Sequence, residues 1–267
     1  MSPDSLRYAR HLALPGFGAA QQARLKNARV LVVGLGGLGS PAAQYLAAAG
    51  VGTLVLNDFD SVDLTNLQRQ SLYAETDVGA GKAEAACMRL AGVNSTLELL
   101  PLSERLQDGA LATEVAQADL VVDATDNFGS RFALNAACVA AGTPLVSGAA
   151  IRYDGQLAVF DAGLPDSPCY ACLYSEADEG LEDCAGNGVF APVVGVIGAA
   201  MAVEALKQLT GLGETPPGTL WRYAGLTGEW RSARIARDSG CSVCGGATAK
   251  APLPKGEGNK GGRSDSA

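Results

Sequence analysis

Histidine is almost missing from this sequence: His11 is the only one among 267 residues. Ser-His-Asp and Cys-His catalysis both need a histidine base, so this scarcity argues against either mechanism. It also means that any zinc site must rely on cysteine. Charged residues are few, at 18%, whereas 48% of the residues are apolar. A chain of this length and composition can bury a sizeable core, in one large domain or two small ones.

Other absences narrow the set of partners. Lys and Arg total 20 against 28 Asp and Glu, a net charge of −8, and no long basic stripe occurs, so nucleic acid is not an expected partner. The N-terminus lacks the apolar core of a signal peptide. The most apolar later stretch, residues 191–209, carries Glu204 and Lys207 at helical spacing. It is interpreted as a buried helix rather than a membrane span, so we expect a cytoplasmic protein without a membrane partner.

Strand and helix patterns alternate over the first 150 residues. A short β-branched run at 28–33 is typical of a buried parallel strand, and a helix at 41–49 follows with Ser40 as its N-cap. Residues 53–57 form the next strand, so these elements make one βαβ unit. The alternation continues with predicted helices at 79–90, 108–116 and 130–141 and predicted strands at 97–101, 119–124 and 145–147.

The pattern changes after residue 150. Residues 151–160 and 220–235 alternate apolar and polar side chains as antiparallel strands do, with an apolar helix near 193–209 between them. The predicted fold is therefore α/β, with a Rossmann-like, mostly parallel sheet flanked by helices that continues into an antiparallel C-terminal portion. The chain is expected to divide into an N-terminal helical arm, a main domain and a disordered tail rich in Gly, Lys, Ser and Pro, at residues 1–27, 28–246 and 247–267.

A glycine-rich turn, Gly34-Leu-Gly36-Gly37-Leu-Gly39, follows the first predicted strand and opens a helix. Its glycines permit close backbone approach to a ligand, and a helix N-terminus favours phosphate. Asp58, 22 residues after Gly36, is placed where a carboxylate accepts hydrogen bonds from ribose hydroxyls. The combination predicts nucleotide binding; the alternative is a glycine turn needed only for packing. It fits a dinucleotide dehydrogenase as well as an ATP-dependent enzyme.

The residues after Asp58 favour ATP. Arg69 offers a planar fork of donors for phosphate, and Lys82 a mobile point charge. Asp126 lies at the C-terminal end of a predicted parallel strand, where carboxylates commonly hold Mg²⁺. A hydride-transfer enzyme has no evident need for this set. An enzyme that handles a triphosphate does, because charge must be neutralised at the α-phosphate while pyrophosphate leaves.

Several motifs occur in a fixed order along the chain: Arg7-Tyr8-Ala9-Arg10, the glycine turn, Asp58-Phe-Asp60, Asn66-Leu67-Gln68-Arg69-Gln70, Gly81-Lys82 and Thr125-Asp126-Asn127. Over roughly residues 5–246 this set resembles the MoeB/ThiF family, the bacterial relatives of ubiquitin-activating enzymes. The resemblance implies an adenylation domain over 28–246. It also implies ATP-dependent adenylation of the C-terminal glycine of a small ubiquitin-like sulfur-carrier protein that ends in Gly-Gly.

The resemblance also implies a role for each matching residue. Asp58 contacts the ribose, and Asp126 positions Mg²⁺. Arg10 reaches the triphosphate of the other subunit, which implies a homodimer. The residues implied to bind ATP are Gly37, Asp58, Thr65, Asn66, Leu67, Gln68, Arg69, Lys82, Asp126 and Asn127, and those implied in catalysis are Arg10, Arg69, Lys82 and Asp126. The carrier's carboxylate is already the nucleophile, so no histidine base is required.

Seven cysteines in a reducing compartment are expected to stay reduced unless they bind metal or take part in chemistry. Cys169, Cys172, Cys241 and Cys244 form two Cys-x-x-Cys pairs, whose thiolates predict a closed tetrahedral zinc site. Such a site would hold the C-terminal strands against the loop after residue 160, and the family resemblance supports it. The alternatives are a redox pair or free buried cysteines.

Three cysteines lie outside these pairs. Cys184 lies in a polar, glycine-containing loop, where a nucleophilic thiol would be exposed. In ThiF-type relatives a cysteine here bonds to the carrier after adenylation, whereas in MoeB it is present but not needed, and both interpretations stay open. The following residues, Ala185-Gly-Asn-Gly-Val189, depart from the family pattern. Cys87 and Cys138 are predicted to be core residues.

The end use of the chemistry has two interpretations. Ser147-Gly-Ala-Ala-Ile-Arg152 resembles MoeB and favours a MoaD-like carrier in molybdopterin synthesis. Trp230-Arg-Ser and Ser239-Gly-Cys resemble ThiF and favour a ThiS-like carrier in thiamine thiazole synthesis. A separate sulfur-donor protein is expected in either case. An NAD-dependent oxidoreductase and a non-catalytic carrier-binding protein are the rival classes, and the retained phosphate-binding set argues against the second.

Overall fold

The structure is a computed structural model that describes residues 6–164, 166–175, 188–214, 216 and 218–245. Within these residues the strands are β1 (Arg29–Val33), β2 (Thr53–Asn57), β3 (Glu98–Leu102), β4 (Leu120–Asp123), β5 (Leu145–Ile151), β6 (Asp154–Phe160), β7 (Thr219–Ala224) and β8 (Glu229–Arg234). They form a single sheet in the order β3-β2-β1-β4-β5-β6-β7-β8. The predicted tail at 247–267 lies outside the described residues.

The helices of the same ranges connect the strands or precede the sheet. They are α1 (Ala9–Leu12), α2 (Ala19–Asn27), α3 (Gly39–Ala49), α4 (Lys82–Val93), α5 (Asp108–Gln117), α6 (Phe128–Ala141) and α7 (Ala191–Thr210). Short 3₁₀ turns form at Leu64–Asn66, Glu75–Asp77 and Tyr170–Cys172.

The first five strands of the sheet are parallel. β1 pairs with β2 on one side and with β4 on the other, and β4 continues to β5. All of β4 and all but the first residue of β1 are buried, as expected for short apolar strands covered by helices on both faces. From β5 onward the neighbours are antiparallel, and every residue of the edge strand β8 is exposed. The predicted fold class is confirmed.

Two predicted boundaries are wrong for local reasons. Ser40 does not cap α3: the helix already begins at Gly39, and the Ser40 hydroxyl donates to the Leu35 carbonyl instead. The helix predicted at 79–90 begins only at Lys82. Before it Gly79 lies in a turn with φ of +91° and Gly81 is extended, and the Val62 amide donates to the Ala80 carbonyl at 2.8 Å.

Each antiparallel stretch also differs from its prediction. β5 runs on to Ile151 and turns back into β6 at Arg152, which has φ of +54°. The segment predicted at 220–235 is a hairpin whose turn includes Gly228 at φ of +72°. Period-two alternation continues through such turns, so the sequence pattern alone merges neighbouring strands.

Helix α7 is, by length and composition, the one described helix that could cross a membrane. Half of its most apolar 18-residue stretch is buried in this fold, where the helix packs against α3, β5 and β6. The buried-helix interpretation therefore accounts for its apolar residues.

Two glycines on α7 meet different surroundings. A Cβ atom at Gly198 would overlap the Leu38 carbonyl oxygen and lie 2.5 Å from Pro41 Cγ. A Cβ atom at Gly195 would meet nothing within 4 Å. Gly198 is therefore the point where α7 approaches the start of α3 closely.

We expect Gly198→Ala to lower the free energy of unfolding by about 1–3 kcal/mol, because the added methyl overpacks a rigid backbone contact. Gly195→Ala, three residues away on the same helix, should raise it by about 0.5–1 kcal/mol, because alanine restricts the unfolded chain without a clash. Urea unfolding of both variants measures the difference. Equal stabilities would show that the approach of α7 to α3 is not tight.

Candidate nucleotide site and cysteine cluster

A cavity of about 740 Å³ opens at the carboxyl ends of the parallel strands. It lies where the strand order reverses, between β1 and β4, which is the usual ligand position in open α/β sheets. Its walls include eight of the ten residues predicted to bind ATP: Gly37, Asp58, Thr65, Asn66, Arg69, Lys82, Asp126 and Asn127.

Three predicted residues are not in that lining. Leu67 packs against the hydrophobic core, and Gln68 is an exposed neighbour of the cavity residues Asn66 and Arg69. Arg10 is exposed on the short helix α1. The family resemblance placed the first two in the predicted set, but successive residues of a turn face different directions.

The glycine turn is closed by backbone contacts. Gly34 has φ of +87°, and a Cβ atom there would lie 2.7 Å from the Ala124 carbonyl oxygen. A Cβ atom at Gly37 would lie 2.9 Å from Val194 Cγ2 on α7, and Val194 also lines the cavity. Gly37 therefore has a packing role toward α7 in addition to any contact with a ligand.

Asp58 is buried at the end of β2, with 9% of its surface exposed. Its Oδ2 accepts the Leu35 amide hydrogen at 2.8 Å, and its Oδ1 accepts that of Asp60 at 2.9 Å. Burial raises the pKa of this carboxyl, and the positive charge of Lys82 opposes the shift. The carboxylate is thus tied to the glycine turn and held at the cavity wall.

The cations of the cavity have partners that a ligand could replace. The Lys82 side chain is 7% exposed, and its Nζ lies 3.1 Å from the largely exposed carboxylate of Asp60. Arg69 Nη1 donates to the Thr65 carbonyl at 3.1 Å. Both groups are therefore held at the cavity and keep donors available for an anion.

Asp126 is exposed in a turn that follows β4. The buried carboxylate of Asp123 shapes this turn: it accepts from the Thr125 amide at 3.1 Å, the Thr125 hydroxyl at 2.7 Å and the Ser147 hydroxyl at 2.8 Å. The Asn127 Oδ1 accepts the Ser130 amide hydrogen at 2.9 Å and so caps α6. Asn127 therefore has a structural task, and its amide nitrogen is the group that faces Asp126, at 3.4 Å.

Some cavity residues are not evident from the sequence patterns. The Arg105 guanidinium lies 4.2 Å from the ring centroid of Phe59. Arg131 is 2% exposed, and its Nη2 donates to the Thr125 carbonyl at 2.9 Å. Gln70 is 4% exposed and lies beside Gly36. A search for polar residues soon after each parallel strand could have found Arg105 and Arg131, but only the fold brings them to one cavity.

The four paired cysteines lie together next to α6, whose Val139 packs against them. Their sulfur atoms are all within 4.8 Å of one another, with distances of 4.0 Å for Cys169–Cys172, 3.7 Å for Cys169–Cys241 and 3.4 Å for Cys172–Cys244. Tetrahedral zinc with four thiolates separates the sulfurs by about 3.8 Å. The cluster therefore fits a closed zinc site, and the separations are too long for disulfides.

The remaining cysteines behave differently. Cys138 is 2% exposed in the core, as predicted. Cys87 is half-buried and packs against the core, and burial raises the pKa of its thiol to about 11. Cys184 lies outside the described residues.

The model of the ThiF family matches residues 8–243 of this chain. The molybdopterin-synthase adenylyltransferase of Escherichia coli (strain K12) is 47% identical over 242 residues, which cover 91% of this chain and 97% of that protein. The sulfur carrier protein ThiS adenylyltransferase of the same organism is 46% identical over 246 residues, or 92% and 97% of the two chains. The crystal structure of E. coli MccB with ATP has a TM-score of 0.78 and 26% identity, and covers 91% of this chain and 75% of that one.

The family model thus matches nearly the whole described length of the chain. This chain has the strand order, the cavity at its reversal point and the cysteine cluster described above. From the match and the two relatives at 46–47% identity, we conclude that the chain belongs to the ThiF family.

Proposed function

We propose that this protein adenylates the C-terminal glycine of a small ubiquitin-like sulfur-carrier protein, with Mg·ATP as the second substrate. The observation that carries the proposal is the meeting of Arg69, Lys82 and Asp126 around one cavity at the carboxyl ends of the parallel strands. Membership of the ThiF family, with relatives named as adenylyltransferases, supports it over a nicotinamide-dependent reaction.

The charges of the cavity suit a metal-bound triphosphate. Asp58, Asp60 and Asp126 are carboxylates, so ATP without a cation would meet repulsion as well as attraction. Asp126 would hold a Mg²⁺ ion, whose positive charge would offset that repulsion, and oxygen ligands are those that Mg²⁺ prefers. Arg69 and Lys82 then take phosphate oxygens, with Lys82 exchanging Asp60 for the ligand.

The reaction requires positioning and charge stabilisation. A carboxylate oxygen of the carrier attacks the α-phosphorus, the bond from that phosphorus to the bridging oxygen breaks, and pyrophosphate leaves with the electron pair. No proton has to be removed from the nucleophile. The lack of a histidine base is therefore compatible with the reaction, and the cations stabilise the charge that moves onto pyrophosphate.

A MoaD-like carrier, for molybdopterin synthesis, is our first proposal for the protein substrate, and a ThiS-like carrier is the alternative. Relatives named for each pathway are almost equally similar, at 47% and 46% identity. We also propose a separate sulfur-donor protein and a cytoplasmic location. A covalent bond from Cys184 to the carrier stays a prediction that belongs to the ThiS-like alternative.

We propose that the active unit is a homodimer in which Arg10 serves the partner subunit. Arg10 is exposed on α1 and does not line the described cavity of its own chain. A residue that reaches the site of a partner subunit must be exposed and must lie outside the cavity of its own chain.

Asp126→Ala should reduce carrier-dependent ATP–pyrophosphate exchange by at least about 100-fold, because the metal-binding carboxylate is lost. Exchange is measured with a MoaD-like and a ThiS-like carrier in parallel, and the carrier that stimulates it is the substrate. Glu75→Ala removes another exposed carboxylate, which lies outside the cavity, and should retain full exchange. Near-normal exchange in Asp126→Ala, or no exchange with either carrier, contradicts the proposed function.

Protein purified without chelators should contain one zinc ion per chain, as determined by elemental analysis. Cys241→Ser should lose it, because a hydroxyl does not replace a thiolate ligand at neutral pH. The control Cys87→Ser removes a thiol outside the cluster and should keep full zinc content. A wild-type metal content near zero would show that the cluster is not a zinc site.

Mixing Arg10→Ala with Asp126→Ala by co-expression should restore exchange to about a quarter of the wild-type activity per chain. Half of the dimers are then mixed, and each has one site with both residues intact. Size-exclusion chromatography confirms the dimer. If Arg10 acts within its own chain, every site lacks one of the two residues and the mixture stays inactive.

A further inference from the structure

Asn135 occupies an unusual position for its chemistry. It lies in the middle of helix α6 and is 1% exposed. Asparagine is a poor helix former, and a buried amide without partners is destabilising. An apolar residue would suit this position better unless the amide makes specific hydrogen bonds.

Both hydrogen bonds of Asn135 go to the turn that carries the first cysteine pair. Its Nδ2 donates to Cys169 Sγ at 3.5 Å, and its Oδ1 accepts the Tyr170 amide hydrogen at 2.9 Å. The turn is closed by its own backbone bond, from the Cys172 amide to the Cys169 carbonyl at 2.9 Å. One side chain therefore orients a ligand sulfur and the peptide that follows it.

We infer that Asn135 is a positioning residue of the four-cysteine metal site. It directs the Cys169 thiolate toward the metal and reduces the negative charge on that sulfur through an N–H···S hydrogen bond. Partners of this kind fix the orientation of metal ligands and tune their basicity. The inference rests on the proposed zinc site.

The charge of the site explains why such donors are needed. Four thiolates and one Zn²⁺ carry a net charge of −2, and three of the four cysteines are buried. The Asp238 amide also points at the cluster, 3.5 Å from Cys172 Sγ. Each N–H dipole directed at a sulfur lowers the free energy of the charged, metal-bound form.

Asn135 also connects the cluster to the candidate nucleotide cavity. Helix α6 begins at Phe128, directly after the Asn127 cap and the exposed Asp126. Asn135 follows two turns later on the same helix. The cysteine turn and the Asp126 turn are thus attached to one rigid element, and the amide of Asn135 makes one of those attachments.

The test compares two variants with a control on the same helix. Asn135→Leu has a similar volume without donor or acceptor, and Asn135→Asp keeps the shape and the acceptor but loses the donor. Cys138→Ala changes a core side chain one turn further along α6 that is not part of the cluster. Zinc affinity is measured by competition with a chromophoric chelator. The cobalt-substituted proteins give the thiolate-to-metal charge-transfer band.

Both Asn135 variants should bind zinc about 10–100-fold more weakly, with Asn135→Asp the weaker because its carboxylate repels the thiolates. Their cobalt charge-transfer band should move to longer wavelength, because the sulfur that loses its hydrogen bond becomes more electron-rich. Cys138→Ala should keep the wild-type affinity and band. Loss of packing alone does not move the band, so this readout separates positioning from stability.

Wild-type affinity and an unshifted band in folded Asn135→Asp would overturn the inference, as would an equal loss in Cys138→Ala. If Asn135→Leu does not fold, the isosteric Asn135→Asp carries the test. Wild-type protein that binds no zinc would overturn the zinc proposal and this inference together. Normal zinc binding that does not respond to Asn135 overturns this inference alone.

Discussion

The carbonyl oxygens of Gly34 and Leu38 lie so close to two glycines that neither glycine could be replaced by a residue with a side chain without a clash. Gly39 packs directly over the first, and Gly198 of α7 packs over the second. These approaches bring the end of β1, the start of α3 and the middle of α7 into contact, and they determine where the cavity wall runs. A Cβ atom at Gly37 would meet the Val194 side chain of α7 at 2.9 Å. The glycine turn is therefore both a packing contact between three elements and part of the cavity wall.

The cavity that this packing creates is lined by side chains of both charge signs, although the protein as a whole is acidic, with a sequence pI of about 4.7. Arg69 and Lys82 face it together with Asp58, Asp60 and Asp126. An anion alone meets carboxylates there, whereas an anion with a divalent cation satisfies both signs of charge. The Lys82–Asp60 ion pair keeps the buried ammonium compensated before a ligand arrives. This balance is the physical reason to connect the site with a metal–triphosphate substrate.

Helix α6 joins the two chemically distinct parts of the molecule. Its N-terminal cap, Asn127, is adjacent to Asp126, and its middle contacts the turn of Cys169 and Tyr170. Arg131, between these points, donates to the Thr125 carbonyl and lies 3.4 Å from the Tyr170 hydroxyl. A metal in the cysteine cluster would therefore brace the same helix that presents Asp126.

The sequence by itself determined the βαβ order, the glycine turn with Asp58 and the two cysteine pairs, because these depend on local periodicity and short spacing. It failed at Ser40, whose hydroxyl donates to the nearby Leu35 carbonyl, and at residues 79–81, where Ala80 bonds to Val62 instead of starting the helix. It also merged the hairpin strands, because the alternation of apolar and polar residues continues through their turns. Only the tertiary structure decided that Arg105 and Arg131 share a cavity wall, and that Asn135 reaches Cys169. Strand pairing and helix packing bring these residues together from distant segments, and no periodic pattern encodes such a meeting.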